Sequence, residues 1–270
     1  MHFPHTAVPI RSWTAARNGR TLGCMSRYDG KSVVITGGSS GLGLAAAQYL
    51  VDNGARVLVT GRNQDTLDDA ARRLGDNGIA VRSDTSSLAD IEALAGRVRD
   101  EFGTVDALVA NAGIGSFDPF FDVTEQTFDE VFAINTKGPF FTVQKLAPLL
   151  SDGAGVVLTT SIANQTGWDA LSVYSASKAA LRSMARTLSR ELLPRGIRVN
   201  ALSPGSIDTG KLEKEVPEKA AALKAEFQQS SPMGRWGHPT EFGPAVAFLA
   251  FDATFVAGIE LVVDGGESQL

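Results

Sequence analysis

Tyr174 and Lys178, in the stretch SVYSASK, stand four residues apart at the start of a segment rich in helix formers. That spacing puts a phenol and an ammonium on one helix face. A free phenol ionises near pH ~10, too high for good acid–base work at neutral pH. A neighbouring ammonium favours the phenolate and lowers that value. Such a pair would protonate a carbonyl oxygen in one direction and deprotonate an alcohol in the other. What surrounds the pair decides its use.

From Lys31 onward the chain alternates strand and helix. The short apolar runs SVVIT, VLVT, AVRSD, ALVAN, VVLTTS, IRVNALSP and GIELVVDGG read as strands. Between them fall the helices GLGLAAAQYLVDNG, DTLDDAARRLGDNG and SLADIEALAGRVRDEFG, a long one centred on TFDEVFAINTKGPFFTVQKLAPLL, and the helix of Tyr174. Strands separated by helices imply right-handed βαβ units and a parallel sheet covered on both faces. The fold class expected is α/β, a doubly wound parallel sheet in a single domain over residues 29–270.

TGGSSGLG, residues 36–43, joins the first strand to the first helix. Gly37, Gly41 and Gly43, with Ser39, Ser40 and Leu42 beside them, let the chain turn tightly against a pyrophosphate. The helix N-terminus then faces the negative charge, the device of a Rossmann-type nucleotide site. The spacing G-x-x-x-G-x-G is looser than the general fingerprint. A chain selecting NAD usually carries an acidic residue at the end of the second strand. VTGRN offers Gly61 and Arg62 instead. A guanidinium grips a 2′-phosphate that a carboxylate would repel. NADP(H) is therefore the expected cofactor, with NAD(H) as the alternative. Asp84 and Thr85 are expected to flank the adenine, and Asn111, Ala112 and Gly113 to pass close to the ribose.

With TGGSSGLG, ANAG and YSASK together, the sequence resembles the short-chain dehydrogenase/reductase family, from about Tyr28 to the VDGG of residues 263–266. The resemblance implies hydride transfer between a nicotinamide and a carbonyl or alcohol substrate, with Asn135, Ser161, Tyr174 and Lys178 as the catalytic set. Tyr174 and Lys178 match the family's YxxxK motif. Ser161 matches its serine, a donor to the reacting oxygen. Asn135, in FAINTKG, matches its asparagine, expected to hold a water that links Lys178 to solvent. Pro204, Gly205, Ile207 and Thr209 resemble the segment that closes on the nicotinamide side, and residues 206–236 the substrate lid. ANAG replaces the commoner NNAG and TTS the more usual serine pair; neither change removes a catalytic group. Phe251 and Phe255 stand where the family often carries small polar residues. The resemblance also implies a homotetramer, and the small residues Ala176, Ala179, Ala180 and Ser183 suit close helix contact.

Composition narrows the partners. The 270 residues, 43% hydrophobic, suffice for one domain with a sizeable core. A net charge of -5 without a basic cluster argues against nucleic acid. No apolar run reaches membrane-spanning length. Cys24 is the only cysteine, which excludes an internal disulfide and fits a cytoplasmic setting. His2, His5 and His238 are too scattered for a usual metal centre. Residues 1–28 carry Arg11, Arg17, Arg20 and Arg27 and no acid. They read as a flexible extension, or as sequence ahead of a start at Met25, more than as a targeting peptide.

Phe117, Phe120, Trp168, Leu171 and Trp236 fall in stretches expected to wall the substrate pocket, with Asp169 discouraging anions. The expected reaction is reduction of a mainly apolar ketone or aldehyde with NADPH. The alternative is an NAD-dependent alcohol, polyol or sugar dehydrogenase working oxidatively. A non-catalytic NADP(H)-binding regulator is the least favoured, since it would not need both Tyr174 and Lys178.

Overall fold

The computed structural model describes residues 26–215 and 217–270. The expectations for residues 1–25 lie outside the described residues. Seven strands form one parallel sheet: β1 (Ser32–Thr36), β2 (Arg56–Gly61), β3 (Gly78–Arg82), β4 (Val105–Ala110), β5 (Leu150–Thr159), β6 (Arg198–Pro204) and β7 (Glu260–Val263), in the order β3-β2-β1-β4-β5-β6-β7. The strands are apolar nearly throughout because helices cover both faces. Val33, Val34, Ile35, Val57, Leu58 and Val59 are all fully buried.

On one face pack α1 (Gly41–Asp52), α2 (Gln64–Leu74) and α9 (Phe242–Ala247). On the other lie α3 (Leu88–Phe102), α5 (Gly138–Leu146) and α6 (Ser172–Leu192). The strand order reverses between β1 and β4, which opens a crevice at the carboxyl ends of the strands. Register carries Thr36 opposite Ala110 and Ala110 opposite Leu158, so the tips of β1, β4 and β5 end together beneath that crevice.

Three departures from the sequence reading have local causes. The helix expected over residues 127–150 is α4 (Glu125–Phe132) and α5 joined through a π-helical turn at Ala133–Lys137, which carries Asn135. A widened turn of this kind displaces one residue out of the regular spiral. Ser161 lies two positions past the end of β5, as the start of a tight turn at Ile162–Asn164. The helix α9, with its continuation Phe248–Asp252, was not anticipated. Pro244 obscures it, yet it falls in the first turn, where its missing N–H leaves no hydrogen bond unmade.

The unusual Phe251 has a packing role. Its ring stacks on Tyr28 at 4.9 Å between centroids. Tyr28, the last residue of the stretch read as an extension, is 3% exposed and its N–H donates to the Asn53 carbonyl. Phe255 by contrast points into solvent. In the expected lid, α7 (Lys211–Glu215) and α8 (Pro217–Ser230) are helical.

Arg198 holds the α9 layer to the sheet. Buried at the start of β6, it donates to the carbonyls of Leu249, Ala250 and Ala253 at 2.7–2.9 Å. These are the carbonyls a helix leaves unpaired at its C-terminus. Arg198→Met removes all three donors, and urea denaturation should show a stability loss of about 3 kcal/mol.

Candidate active site

At the carboxyl edge of the sheet the chain surrounds a cavity of about 1100 Å³. One end is the glycine loop. Gly37 has φ +64°, and a Cβ there would sit 2.8 Å from the Ala112 backbone, so only glycine brings the two loops together. Asn111 clamps them: its Nδ2 donates to the carbonyls of Thr36 and Gly37, and its N–H to the Thr36 hydroxyl. Gly37, Ser39, Ser40, Gly41, Leu42, Arg62, Asp84, Thr85, Asn111, Ala112 and Gly113 all line the cavity, as do Pro204, Ile207 and Thr209.

Gly43 and Gly205 do not line it. A Cβ on Gly43 would strike the Gly37 carbonyl oxygen at 2.3 Å, so this glycine lets α1 close up behind the loop. Gly205 gives passage to Asp264 in the turn after β7.

The exposed Arg62 stands at the mouth of the cavity. A Cβ on Gly61 would meet the Ser39 hydroxyl at 2.4 Å, which leaves no room for a carboxylate at that position unless Ser39 moves. Arg62 also borders a second, open cleft whose wall is acidic, with Asp84, Glu125, Asp129 and Glu130. Those carboxylates oppose a phosphate that Arg62 would attract.

Tyr174 and Lys178 occupy the third position and the second turn of α6, and both face the cavity with Ser161. The Lys178 ammonium is 3% exposed, donates to the Thr159 carbonyl at 3.0 Å and lies 5.7 Å from the Tyr174 ring centre. Burial pulls its pKa down to about 8. The Tyr174 phenol is pushed above its ordinary value by burial, and a hydrogen bond with Ser161 pulls it part of the way back. The direction is thus opposite to the lowering expected from the sequence, with burial as the largest cause.

Asn135 is fully buried and does not reach the cavity wall. It accepts from the Ile114 N–H and donates to the Ile114 carbonyl and to the Ser177 hydroxyl, at 2.8–3.1 Å. It therefore fastens the loop after β4 to α6. Gly113 fits between the two groups: a Cβ would lie 3.1 Å from Lys178 Nζ and 3.2 Å from Asn135 Oδ1.

Phe117, Trp168, Asp169, Leu171 and Trp236 line the end of the cavity beyond Tyr174, as expected from the sequence. Phe120 does not; it is 73% exposed, with its ring edge-on to Phe121. Leu212 of α7 and Phe227 of α8 join the wall instead, and Phe227 packs against Trp236 at 5.4 Å. Phe227 is the one aromatic residue in an otherwise polar and small-residue helix, PEKAAALKAEFQQS. That was the available signal. Ala170 holds φ 59°, the one positive value outside glycine among the described residues, and turns the chain between Trp168 and Leu171.

The two ends of the cavity suit different parts of one ligand. The glycine loop and the N-terminus of α1 fit a pyrophosphate, the Asn111–Gly113 strip a sugar, and the space beside Tyr174 a small organic group. Among the described residues no group of three metal-ligating side chains comes together, and no helix is long and apolar enough to cross a membrane.

Comparison with known proteins agrees. A family profile described as enoyl-(acyl carrier protein) reductase matches residues 37–268. The chain is 41% identical over 252 residues to the oxidoreductase asL5 of Sarocladium schorii, covering 92% of this chain and 100% of that one. It is 32% identical to a galactitol 2-dehydrogenase of Agrobacterium fabrum, covering 89% and 98%. Among solved structures, a glucose/ribitol dehydrogenase of the short-chain dehydrogenase/reductase type from Brucella melitensis superposes with a TM-score of 0.84 at 31% identity, covering 91% and 99%.

Burying Lys178 as a cation carries a cost that pH controls. Its folded pKa of about 8 lies below the ordinary lysine value of 10.5. The destabilisation is full below pH ~8 and disappears as pH rises toward ~10.5, because the unfolded chain then loses the same proton. Lys178→Met should therefore raise stability at pH 7 by about 1–3 kcal/mol. The gain should shrink as pH rises above ~8 and vanish above ~10.5 in paired urea titrations.

Proposed function

Because the chain belongs to the short-chain dehydrogenase/reductase family, and is an oxidoreductase that acts on small organic substrates with a nicotinamide cofactor, we propose that it interconverts a secondary alcohol and its ketone, with Tyr174 as the acid–base group. The observation that carries this reading is the meeting of Tyr174, Ser161 and Lys178 at one end of a cavity whose other end is the glycine loop. The nicotinamide, when bound, supplies the hydride acceptor or donor. The residues of this chain do the rest. Ser161 holds the substrate oxygen by a hydrogen bond, and the Tyr174 hydroxyl takes the proton from an alcohol or returns it to a carbonyl. Lys178 favours the phenolate by its charge and is held in place by the Thr159 carbonyl. Asn135 keeps the Gly113–Ile114 strip against α6, so the cofactor side and the proton side stay in register.

The direction we favour is alcohol oxidation, on a polyol, sugar or related alcohol. The named activities of the galactitol and glucose/ribitol dehydrogenases support it, as does the acidic wall beside Arg62, which disfavours the extra phosphate of NADP. A second reading, NADPH-linked reduction of a mainly apolar ketone, draws on Arg62, on the missing carboxylate at Gly61, and on the aromatic wall of Phe117, Trp168, Phe227 and Trp236.

Fluorescence titration with NADH and NADPH separates the two, followed by turnover screens of polyols with the oxidised cofactors and of aryl ketones with the reduced ones. Tighter NADH binding with polyol oxidation supports the first reading; tighter NADPH binding with ketone reduction supports the second. In the second case Arg62→Ala should weaken NADPH on the order of tenfold or more and leave NADH nearly unchanged. Tyr174→Phe should cut turnover by at least ~10²-fold with cofactor affinity kept, and a variant retaining most of its turnover would remove Tyr174 from the acid–base role.

A further inference from the structure

A second polar cluster lies behind the reacting groups. Glu260, the first residue of β7, has a side chain only 6% exposed and no place among the cavity-lining residues. A carboxylate so buried is costly unless donors surround it. Three do: Ser203 Oγ on β6 at 2.5 Å, Asn164 Nδ2 at 2.6 Å, and Arg182 Nε on α6. Burial raises the Glu260 pKa, and the bonds from Ser203, Arg182 and Asn164 outweigh it, so the group is held below the usual carboxylate range.

The cluster does not end at the carboxylate. Asn164 closes the tight turn that Ser161 begins, and its Nδ2 also donates to the Ser161 carbonyl at 2.6 Å. The Ser161 hydroxyl accepts from the Ala163 N–H at 3.2 Å within the same turn. Ser203 in turn meets the Thr160 hydroxyl, one residue before Ser161. The backbone of Ser161 is thus gripped from the rear by an amide that Glu260 orients. Arg182 ties the same carboxylate to α6, the helix of Tyr174 and Lys178.

We propose that Glu260 is a positioning residue: acting through Asn164, it sets where the Ser161 hydroxyl stands relative to Tyr174. This rests on the assignment of Ser161 and Tyr174 as reacting partners. A carboxylate on the last strand of the sheet, nearly a hundred positions from Ser161 in sequence, would then fix the hydrogen bond that tunes the phenol.

The test reads the phenol directly. The chain has three tyrosines, so subtracting the ultraviolet tyrosinate titration of Tyr174→Phe isolates the Tyr174 signal without any substrate. The charged groups that share the cavity with this phenol, Lys178, Asp169, Lys211 and Glu226 among them, are unchanged in every variant. Glu260→Leu and Asn164→Ala should both raise the Tyr174 midpoint, since the bond from Ser161 that lowers it is misplaced. Turnover of galactitol with NAD, or of acetophenone with NADPH, should fall on the order of ten- to a hundredfold in whichever of the two assays the wild type supports. Glu260→Gln keeps an oxygen acceptor for Asn164 and Ser203 and should restore most of both signals. Repeated in a Ser161→Ala background, Glu260→Leu and Asn164→Ala should move the midpoint no further. A midpoint unmoved by both variants, or moved equally with and without Ser161, would overturn the role and leave Glu260 a support of the fold. A midpoint unmoved by Ser161→Ala alone would instead remove the Ser161–Tyr174 pairing beneath it. If Glu260→Leu does not fold, Asn164→Ala carries the same comparison.

Discussion

The burial of one ammonium organises this site. Lys178 sits 3% exposed between α6 and the end of β5, with the Thr159 carbonyl as its hydrogen-bond acceptor. Holding a cation there draws in everything around it. The strip after β4 must pass without a side chain at Gly113, Asn135 must be presented by a widened helical turn, and Tyr174 must share the same face of α6. The cost of desolvation is the reason the Lys178 pKa falls, and that makes its charge responsive near neutral pH.

Around that cation, asparagines do the joining. Asn111 binds the glycine loop to the loop after β4, Asn135 binds that loop to α6, and Asn164 binds the Ser161 turn to β7. An amide side chain both donates and accepts, so one residue can satisfy a backbone group and a side chain at once. Asn111 and Asn164 sit just past the ends of β4 and β5, and Asn135 in the widened turn between α4 and α5. Ser161 in the turn after β5 and Tyr174 with Lys178 on α6 are thus held in place by amides drawn from three other points of the chain.

The cofactor end and the substrate end pull the functional reading in different directions. Arg62 and the crowded Gly61 suit a 2′-phosphate, whereas the carboxylates of the adjoining cleft oppose one. Aromatic rings line the space beyond Tyr174, yet Asp169, Glu226 and Lys211 share it. Such a mixture sets apolar surface beside polar groups that need partners when they are buried.

Much of this was legible along the chain. The strands announced themselves as apolar runs bounded by glycines, the glycine loop as a strand-to-helix turn, and Tyr174 with Lys178 as an i,i+4 pair, because these features rest on backbone geometry and local spacing. All seven expected strands pair in one parallel sheet. What only the tertiary structure decided is what depends on groups distant in sequence coming together. The sequence could not tell that burial would raise the Tyr174 phenol despite Lys178, since desolvation depends on atoms packed from other elements. Nor could it tell that Phe120 turns outward while Phe227 turns in, because both lie in segments whose side-chain directions are set by docking onto the sheet. Pro244 hides the helix α9 from a local reading, and the partner of Phe251 is Tyr28, more than two hundred residues away. Glu260 read as one polar residue in a terminal strand; only the pairing of β7 with β6 carries it to Ser203 and, through Asn164, behind Ser161.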